Sequence, residues 1–429
     1  MQSWVLSANE ADSHFPIQNL PYGVFARKGE EPRCGVALGS CIIDLAFLEA
    51  EGLVQAADEP VFNQPQLNAF MSLGAAAWDN VRSSLQELFR ENGNPVLRES
   101  STHCERALVP MAEAQLFLPF QVAEYTDFYA GKQHAMNIGS ILRGPENALP
   151  PNWLHIPIGY NGRASTVVAS GHDVRRPLGQ VKAPTAEVPS FKPCARLDME
   201  LEMGAVVATP SRMGEPISVQ QADDMIFGYV LLNDWSARDI QGWEYQPLGP
   251  FQAKAFATTI SPWVVTKAAL EEFRCATPPR EKELLPYLHE PGPMLYDIEL
   301  EAYLQPEGAA SPTRITRTNY NRMYYSAAQQ LAHHAIGGCK MNTGDLLGSG
   351  TISGAEKSEF GSLMELTWGG KEPLQLADAT SRIFLEDGDT VTLTGWAQGN
   401  GYRIGFGSCS GTITPAPAHA PVSKLTQEA

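Results

Sequence analysis

Arg196-Leu197-Asp198-Met199-Glu200-Leu201-Glu202-Met203 alternates acidic and apolar residues with period two. In a β-strand that period sends Asp198, Glu200 and Glu202 to one face and Leu197, Met199, Leu201 and Met203 to the other. Neighbouring carboxylates on such a face stand about 7 Å apart, close enough to repel one another. A strand with an apolar back keeps these charges only where water or a cation compensates them. Hard divalent cations take oxygen ligands of this kind. A solvated edge strand with a polar outer face is the alternative that the segment leaves open.

Outward from this strand the chain reads as short strands with Gly and Pro punctuation and few helices. Phe227-Gly228-Tyr229-Val230-Leu231-Leu232 is a buried strand ending at Asn233-Asp234. Thr390–Thr394 and Ile404–Gly407 are late strands, and Gly23–Ala26 and Cys34–Leu38 are early ones. Leu67, Phe70, Met71, Trp78, Val81, Leu85, Leu88 and Phe89 recur at helical spacing, so one helix is expected there, ending at Asn92-Gly93-Asn94-Pro95. Ser218-Val219-Gln220-Gln221 reads as a capping box opening a short helix. A further helix should run from about Ser326 to Ile336 and stop at Gly337-Gly338. The expected class is α+β with β dominant, and the lack of regular β–α alternation argues against Rossmann and TIM folds. A domain boundary is placed near residue 118, giving units 1–118 and 119–429.

The bulk composition narrows the function. Net charge is −17, from 31 basic and 48 acidic residues, which argues against binding nucleic acid or an anionic membrane surface. The seven cysteines are scattered and contain no C-x-x-C pair, which fits a reducing compartment. Met1-Gln2-Ser3-Trp4-Val5-Leu6 lacks a basic signal-type start, and no apolar run is long enough to span a bilayer. A cytoplasmic protein is therefore expected.

Four segments concentrate polar residues that can do chemistry. In Tyr125-Thr126-Asp127-Phe128-Tyr129-Ala130-Gly131-Lys132-Gln133-His134, an Asp and a His can meet across a turn into a helix. Imidazole exchanges protons near neutral pH, which makes His134 a candidate base; the plainer reading is Asp127 as a helix cap with His134 exposed. In Asn233-Asp234-Trp235-Ser236-Ala237-Arg238-Asp239-Ile240-Gln241, Asp234 ends the buried strand, and Arg238 and Gln241 can share a helical face. Lys254 lies among small and aromatic residues, where desolvation demands a partner. Gly348-Ser349-Gly350-Thr351-Ile352-Ser353-Gly354 lets backbone approach a ligand, or is an ordinary turn. Gly407-Ser408-Cys409-Ser410-Gly411 lacks the strand–turn–helix context of a nucleophile elbow. His333-His334 is explained by its place at a helix end.

Taken in order and spacing, these segments resemble the fumarylacetoacetate hydrolase family. The resemblance runs from Phe15-Pro16-Ile17-Gln18-Asn19-Leu20-Pro21-Tyr22-Gly23 to Ile404-Gly405-Phe406-Gly407. It is carried by Asp127-Phe128-Tyr129 with His134, Glu200-Leu201-Glu202, Asn233–Gln241 and Thr259-Ile260-Ser261-Pro262-Trp263-Val264. It implies an N-terminal SH3-like barrel and a C-terminal mixed β-sandwich roll that forms a homodimer. It also implies hydrolysis of a carbon–carbon bond in a small β-diketo dicarboxylate, giving fumarate and acetoacetate, the last step of tyrosine and phenylalanine breakdown. The implied cofactors are Ca²⁺ and Mg²⁺. The implied metal carboxylates are Asp127, Glu200, Glu202 and Asp234, with a second, Mg²⁺ site near Asp234, Lys254 and Thr258. The implied base is His134 held by Glu365, with Arg238, Gln241 and Lys254 stabilising charge. Implied substrate contacts are Tyr129, Arg143, Tyr160, Arg238, Gln241, Tyr245, Lys254 and Thr351. Ala257 departs from the Gly expected there, and its methyl would loosen the second cation site if backbone packs against that ion. A related hydrolase of acylpyruvates, a decarboxylase of the same superfamily, and a non-catalytic metal-stabilised binding protein are the alternatives.

Overall fold

The computed structural model describes residues 1–418. Strand slightly exceeds helix, at 29% against 25%, so the fold is α+β. Its spine is the strand Ile226–Asp234, buried along its whole length. Alternate side chains leave this strand on opposite faces. Tyr229 and Leu231 enter one apolar cluster with Met199, Leu201, Met203, Leu300, Leu331 and Leu393. Val230 and Leu232 enter a second with Tyr22, Val24, Val36, Phe70, Leu85 and Val264. A strand covered on both faces reads as a continuous apolar run, which is how Phe227–Leu232 stands in the sequence.

The largest sheet among the described residues runs Leu108–Pro110, Cys41–Asp44, Arg33–Leu38, Tyr22–Arg27, Trp263–Thr266, Ile226–Asp234, Leu201–Val207, Leu346–Gly348, Tyr125–Phe128, Gly159–Asn161. Thr258–Ile260 branches from the central strand and pairs with Val167–Ala169. The N-terminal strands join this sheet where Tyr22 pairs with Val264. A second, five-stranded sheet holds Glu299–Gln305, Thr313–Asn319, Thr390–Gln398 and Arg403–Thr414, with Val174–Arg175 at its edge.

The capping signals act as the sequence indicates. Ser218 and Gln221 close a reciprocal capping box on Val219–Met225, and Ser326 with Gln329 does the same for Ala327–Ala335. The expected single helix over 67–89 is instead two, Asn68–Met71 and Ala75–Phe89. Gly74 stands between them at φ 85°, a left-handed conformation that interrupts a right-handed helix. A helix at Ser101–Ala107, capped by Ser100, was not foreseen. The alternating stretch is also interrupted. Leu197–Asp198 pairs with Ser236–Ala237, and the long strand starts only at Leu201. Leu197, Met199, Leu201 and Met203 do share the large core, but the acidic side is no solvated edge, because Asp198, Glu200 and Glu202 are all buried. No described helix is long and apolar enough to cross a membrane.

Candidate active site

Sheet register builds the acidic centre. Residues directly opposite one another on neighbouring strands project to the same face. Tyr160 faces Asp127, Asp127 faces Gly348, Gly348 faces Gly204, and Asp234 faces Thr258. Glu202 is two residues before Gly204 and opposite Leu232, which is two before Asp234. Period two therefore brings Tyr160, Asp127, Glu202, Asp234 and Thr258 to one face, with two glycines in the middle of the row. Gly348 leaves space beside the carboxylates, whereas Gly204 faces Leu346, Val230 and Leu232. A Cβ on Gly348 would lie 2.5 Å from Asp127 Oδ1 and 3.1 Å from Glu202 Oε2.

Asp127, Glu202 and Asp234 are buried and each offers an oxygen within 4.8 Å of the others. One oxygen of each is held. Tyr160 donates to Asp127 Oδ2 at 3.0 Å and to Asp234 Oδ2 at 3.2 Å. The Gly350 backbone N–H donates to Glu202 Oε2 at 2.9 Å. Asp127 Oδ1, Glu202 Oε1 and Asp234 Oδ1 have no protein partner. Burial lifts all three carboxyls above their ordinary range, and neighbouring negative charge adds to this at Glu202 and Asp234. Buried, unpartnered carboxylate oxygens aimed at one point match the donor set of a hard divalent cation. Gly348→Ala, which removes no ligand, should lower divalent-cation affinity about 10- to 100-fold by pushing Asp127 and Glu202 apart, as loss of a supporting contact commonly does. Titration calorimetry checks this; unchanged affinity would show that the glycine row does not shape the centre.

The other acids of the stretch face cations. Glu200 Oε2 lies 2.6 Å from Lys254 Nζ, and Oε1 lies 2.7 Å from Arg238 Nη2. Burial pushes the Glu200 carboxyl up, but Lys254, Arg238 and His134 outweigh it and hold the group far below its usual range. Lys254 also reaches Asp234 Oδ2 at 2.5 Å. Burial lowers the Lys254 pKa, yet Asp234 and Glu200 more than reverse this. The resulting ammonium has no lone pair to give a cation, so Nζ is a counter-charge, and only the Lys254 backbone carbonyl could serve a cation as a ligand. Asp198 turns away from the carboxylate group altogether and pairs with Arg238 at 2.9 Å. Thr258 is buried opposite Asp234, and Ala257 is buried beside it.

His134 sits in the first turn of the helix Lys132–Arg143, capped by Gly131, and is 3% exposed, so it is not the surface residue of the plainer reading. Asp127 lies in the preceding strand and caps nothing. His134 Nδ1 is 2.7 Å from Glu365 Oε2. Glu365 also accepts from Asn137 Nδ2 at 2.8 Å, Ser353 Oγ at 2.9 Å and Ser362 Oγ at 2.7 Å. Burial raises the Glu365 pKa, but His134 and these donors together hold it below the ordinary value. An ionised Glu365 accepts the Nδ1 proton, so whenever the ring is neutral the lone pair lies on Nε2. Nε2 is 3.8 Å from Glu200 Oε1. Asn137 shares the His134 helix face three residues on; neither it nor the two serines was singled out from the sequence, although the i, i+3 spacing was there to read.

A cavity of about 290 Å³ opens onto these groups. Tyr129, Arg143, Tyr160, Arg238, Gln241, Tyr245, Lys254 and Thr351 all line it, together with His134 and Glu200. Arg238 and Gln241 share a helix and meet at 3.2 Å. Thr351 Oγ1 is buried without a partner. Gly350 takes φ 80°, and a Cβ there would meet the Phe128 carbonyl at 2.4 Å, so this glycine serves the close approach that puts its N–H on Glu202. Leu248, on the loop at the mouth, is 93% exposed.

Two family models match the chain, "Fumarylacetoacetase N-terminal" over residues 18–119 and "Fumarylacetoacetate (FAA) hydrolase C-terminal" over 124–414. Fumarylacetoacetase of Homo sapiens is 49% identical over 408 residues, 94% of this chain and 97% of that protein. Fumarylacetoacetase of Arabidopsis thaliana is 48% identical over 411 residues, 95% of this chain and 97% of that protein. Among solved structures, Cg1458 with an inhibitor aligns with TM-score 0.52 at 13% identity, covering 92% of this chain and all of that one, a likeness of fold alone.

Proposed function

The chain belongs to the fumarylacetoacetate hydrolase family, and we infer that it hydrolyses fumarylacetoacetate to fumarate and acetoacetate, the closing step of tyrosine breakdown. The observation that carries this reading is a cavity lined by Asp127, of the buried Asp127–Glu202–Asp234 carboxylate group, and by His134, whose Nδ1 is paired with Glu365.

When bound by Asp127, Glu202 and Asp234, a divalent cation supplies Lewis acidity for the charge that develops on the diketone oxygens. The chain's own groups do the rest. His134 Nε2 removes a proton from water while Glu365 holds Nδ1 and balances the imidazolium charge. The resulting hydroxide adds to the carbonyl carbon on the fumaryl side. The carbon–carbon bond then breaks, its electron pair leaves with the acetoacetate carbon as an enolate, and that carbon takes a proton back. Arg238, Gln241 and Lys254 stabilise the oxyanion, and Arg143, Tyr129, Tyr160, Tyr245 and Thr351 orient the substrate and its carboxylates. Arg143 is held at the cavity wall, its Nη2 donating to the Ala148 carbonyl at 2.7 Å. Ca²⁺ and Mg²⁺ are the cations we assign; Glu200 would complete the set of carboxylate ligands, and Asp234, Lys254 and Thr258 would hold a second ion. The working form is a cytoplasmic homodimer whose N-terminal unit gives way to the catalytic unit near residue 118.

The test is the absorbance decay of fumarylacetoacetate with chelator-stripped protein, before and after Ca²⁺ or Mg²⁺ is returned, with an acylpyruvate run alongside. Cation-restored decay of fumarylacetoacetate, with the acylpyruvate much slower, is expected. Preference for the acylpyruvate, or decay unaffected by chelator, would contradict the reading.

A further inference from the structure

We propose that Asp198 is a positioning residue for this cleavage: one buried carboxylate ties the Arg238 guanidinium to the backbone of the turn that carries Glu365. The proposal rests on the roles given above to Arg238 and the His134–Glu365 pair. Asp198 is 0% exposed. Its Oδ2 accepts from Arg238 Nε at 2.9 Å and from the Met364 N–H at 3.0 Å. Its Oδ1 accepts from the Leu363 and Met199 N–H groups, each at 2.8 Å. Arg238 Nη2 also lies 2.9 Å from Oδ2. The carboxylate is therefore bound on one side to the guanidinium and on the other to the two residues immediately before Glu365.

This bridge has little freedom. Asp198 pairs with Ser236, two residues ahead of Arg238, so the strand that holds the carboxylate also holds the start of the Arg238 helix. The neighbouring Glu200 bridges Ser362, whose hydroxyl donates to Glu365. The guanidinium is hydrogen-bonded to Asp198 through Nε and to Gln241 through Nη1, while Nη2 stands at ion-pair distance from Asp198 without a hydrogen bond, so its aim is set by Nε and by the balance of the two acids. Glu200 Oε1 pulls on the same Nη2 at 2.7 Å. Without the Asp198 charge that pull is unopposed, and the guanidinium shifts towards Glu200 and out of line with Gln241. A side chain that never touches substrate thus sets where the oxyanion donor points and keeps it in register with the base.

The test compares Asp198→Asn in the wild-type and Arg238→Met backgrounds, reading kcat, KM and divalent-cation affinity. Asparagine keeps the size and one carbonyl for the Leu363 and Met199 N–H groups, but it loses the charge and turns its amide N–H₂ towards Arg238 Nε and the Met364 N–H. A misaimed donor costs about 100-fold, so kcat should fall by that order in the wild-type background with KM and cation affinity unchanged. In the Arg238→Met background the same substitution should cost at most a few-fold more, since its charged partner is gone and only the backbone contact remains to be weakened. Wild-type kcat for Asp198→Asn, or an equal loss in both backgrounds, overturns the proposal while leaving the assigned reaction intact. Wild-type kcat for Arg238→Met overturns it together with the role given to Arg238. If Asp198→Asn does not fold alone, the doubly substituted protein, which loses both charges together, is compared with Arg238→Met: kcat within a few-fold supports the bridge, and a further loss of about 100-fold overturns it.

Discussion

Glu365→Gln should lower kcat by about 10,000-fold and leave divalent-cation affinity unchanged, on the scale seen when the carboxylate behind a catalytic histidine becomes an amide. The reason lies in the donors around Glu365. Asn137, Ser353 and Ser362 all donate to it, so each carboxylate oxygen is committed as an acceptor. A glutamine amide brings hydrogens where these donors already point, and its N–H₂ facing Nδ1 would favour the tautomer with the proton on Nε2. That tautomer cannot take a proton from water. His134→Ala should produce a comparable loss, and the two changes together should be little worse than either, because the pair acts as a unit. Steady-state absorbance decay and calorimetric cation titration check the two halves separately. Near-normal turnover in Glu365→Gln would remove the base assignment.

Glu202→Gln should abolish the cation's effect on stability and make the stripped protein more stable at neutral and higher pH. Burial, with the negative charges of Asp127, Asp234 and Glu200, holds the Glu202 carboxyl well above its ordinary range. A carboxyl whose pKa is raised on folding contributes most below its unfolded value, and that contribution is lost as pH rises through the folded one. Asp127 and Asp234 are shifted the same way. The stripped protein should therefore lose stability as pH climbs above the ordinary carboxylate range, and Ca²⁺ or Mg²⁺ should restore it. At a free cation concentration about 100-fold above its dissociation constant the restoration is about 2.7 kcal/mol. Glutamine removes one of the crowded charges and one ligand, so the pH dependence should flatten and the restoration vanish. Thermal unfolding with and without chelator, across pH, measures both. A stripped protein that gains stability with rising pH would contradict the sign.

The sequence was most legible where one element decides the outcome. The apolar run Phe227–Leu232 marked the buried strand and set Asp234 at its end, and the two capping boxes located their helices. It was least legible where distant segments must meet. That Asp127, Glu202 and Asp234 share a face follows from register across four strands, with Gly348 clearing the space between Asp127 and Glu202, and no local pattern states that register. Period two misplaced Asp198, because the strand is broken between Asp198 and Leu201 and the carboxylate turns to Arg238. Glu365 lies in a four-residue helix far along the chain; only the family resemblance pointed to it, since nothing in its own segment advertises a histidine partner. The break at Gly74 was readable in principle, but the apolar spacing on either side is helical and masked it.

The most direct measurement is diffraction from crystals grown with Ca²⁺. Electron density for an ion coordinated by oxygens of Asp127, Glu202 and Asp234, each on the order of 2.4 Å away, is the expected result. Three carboxylates turned apart around solvent in saturating Ca²⁺ would contradict the account.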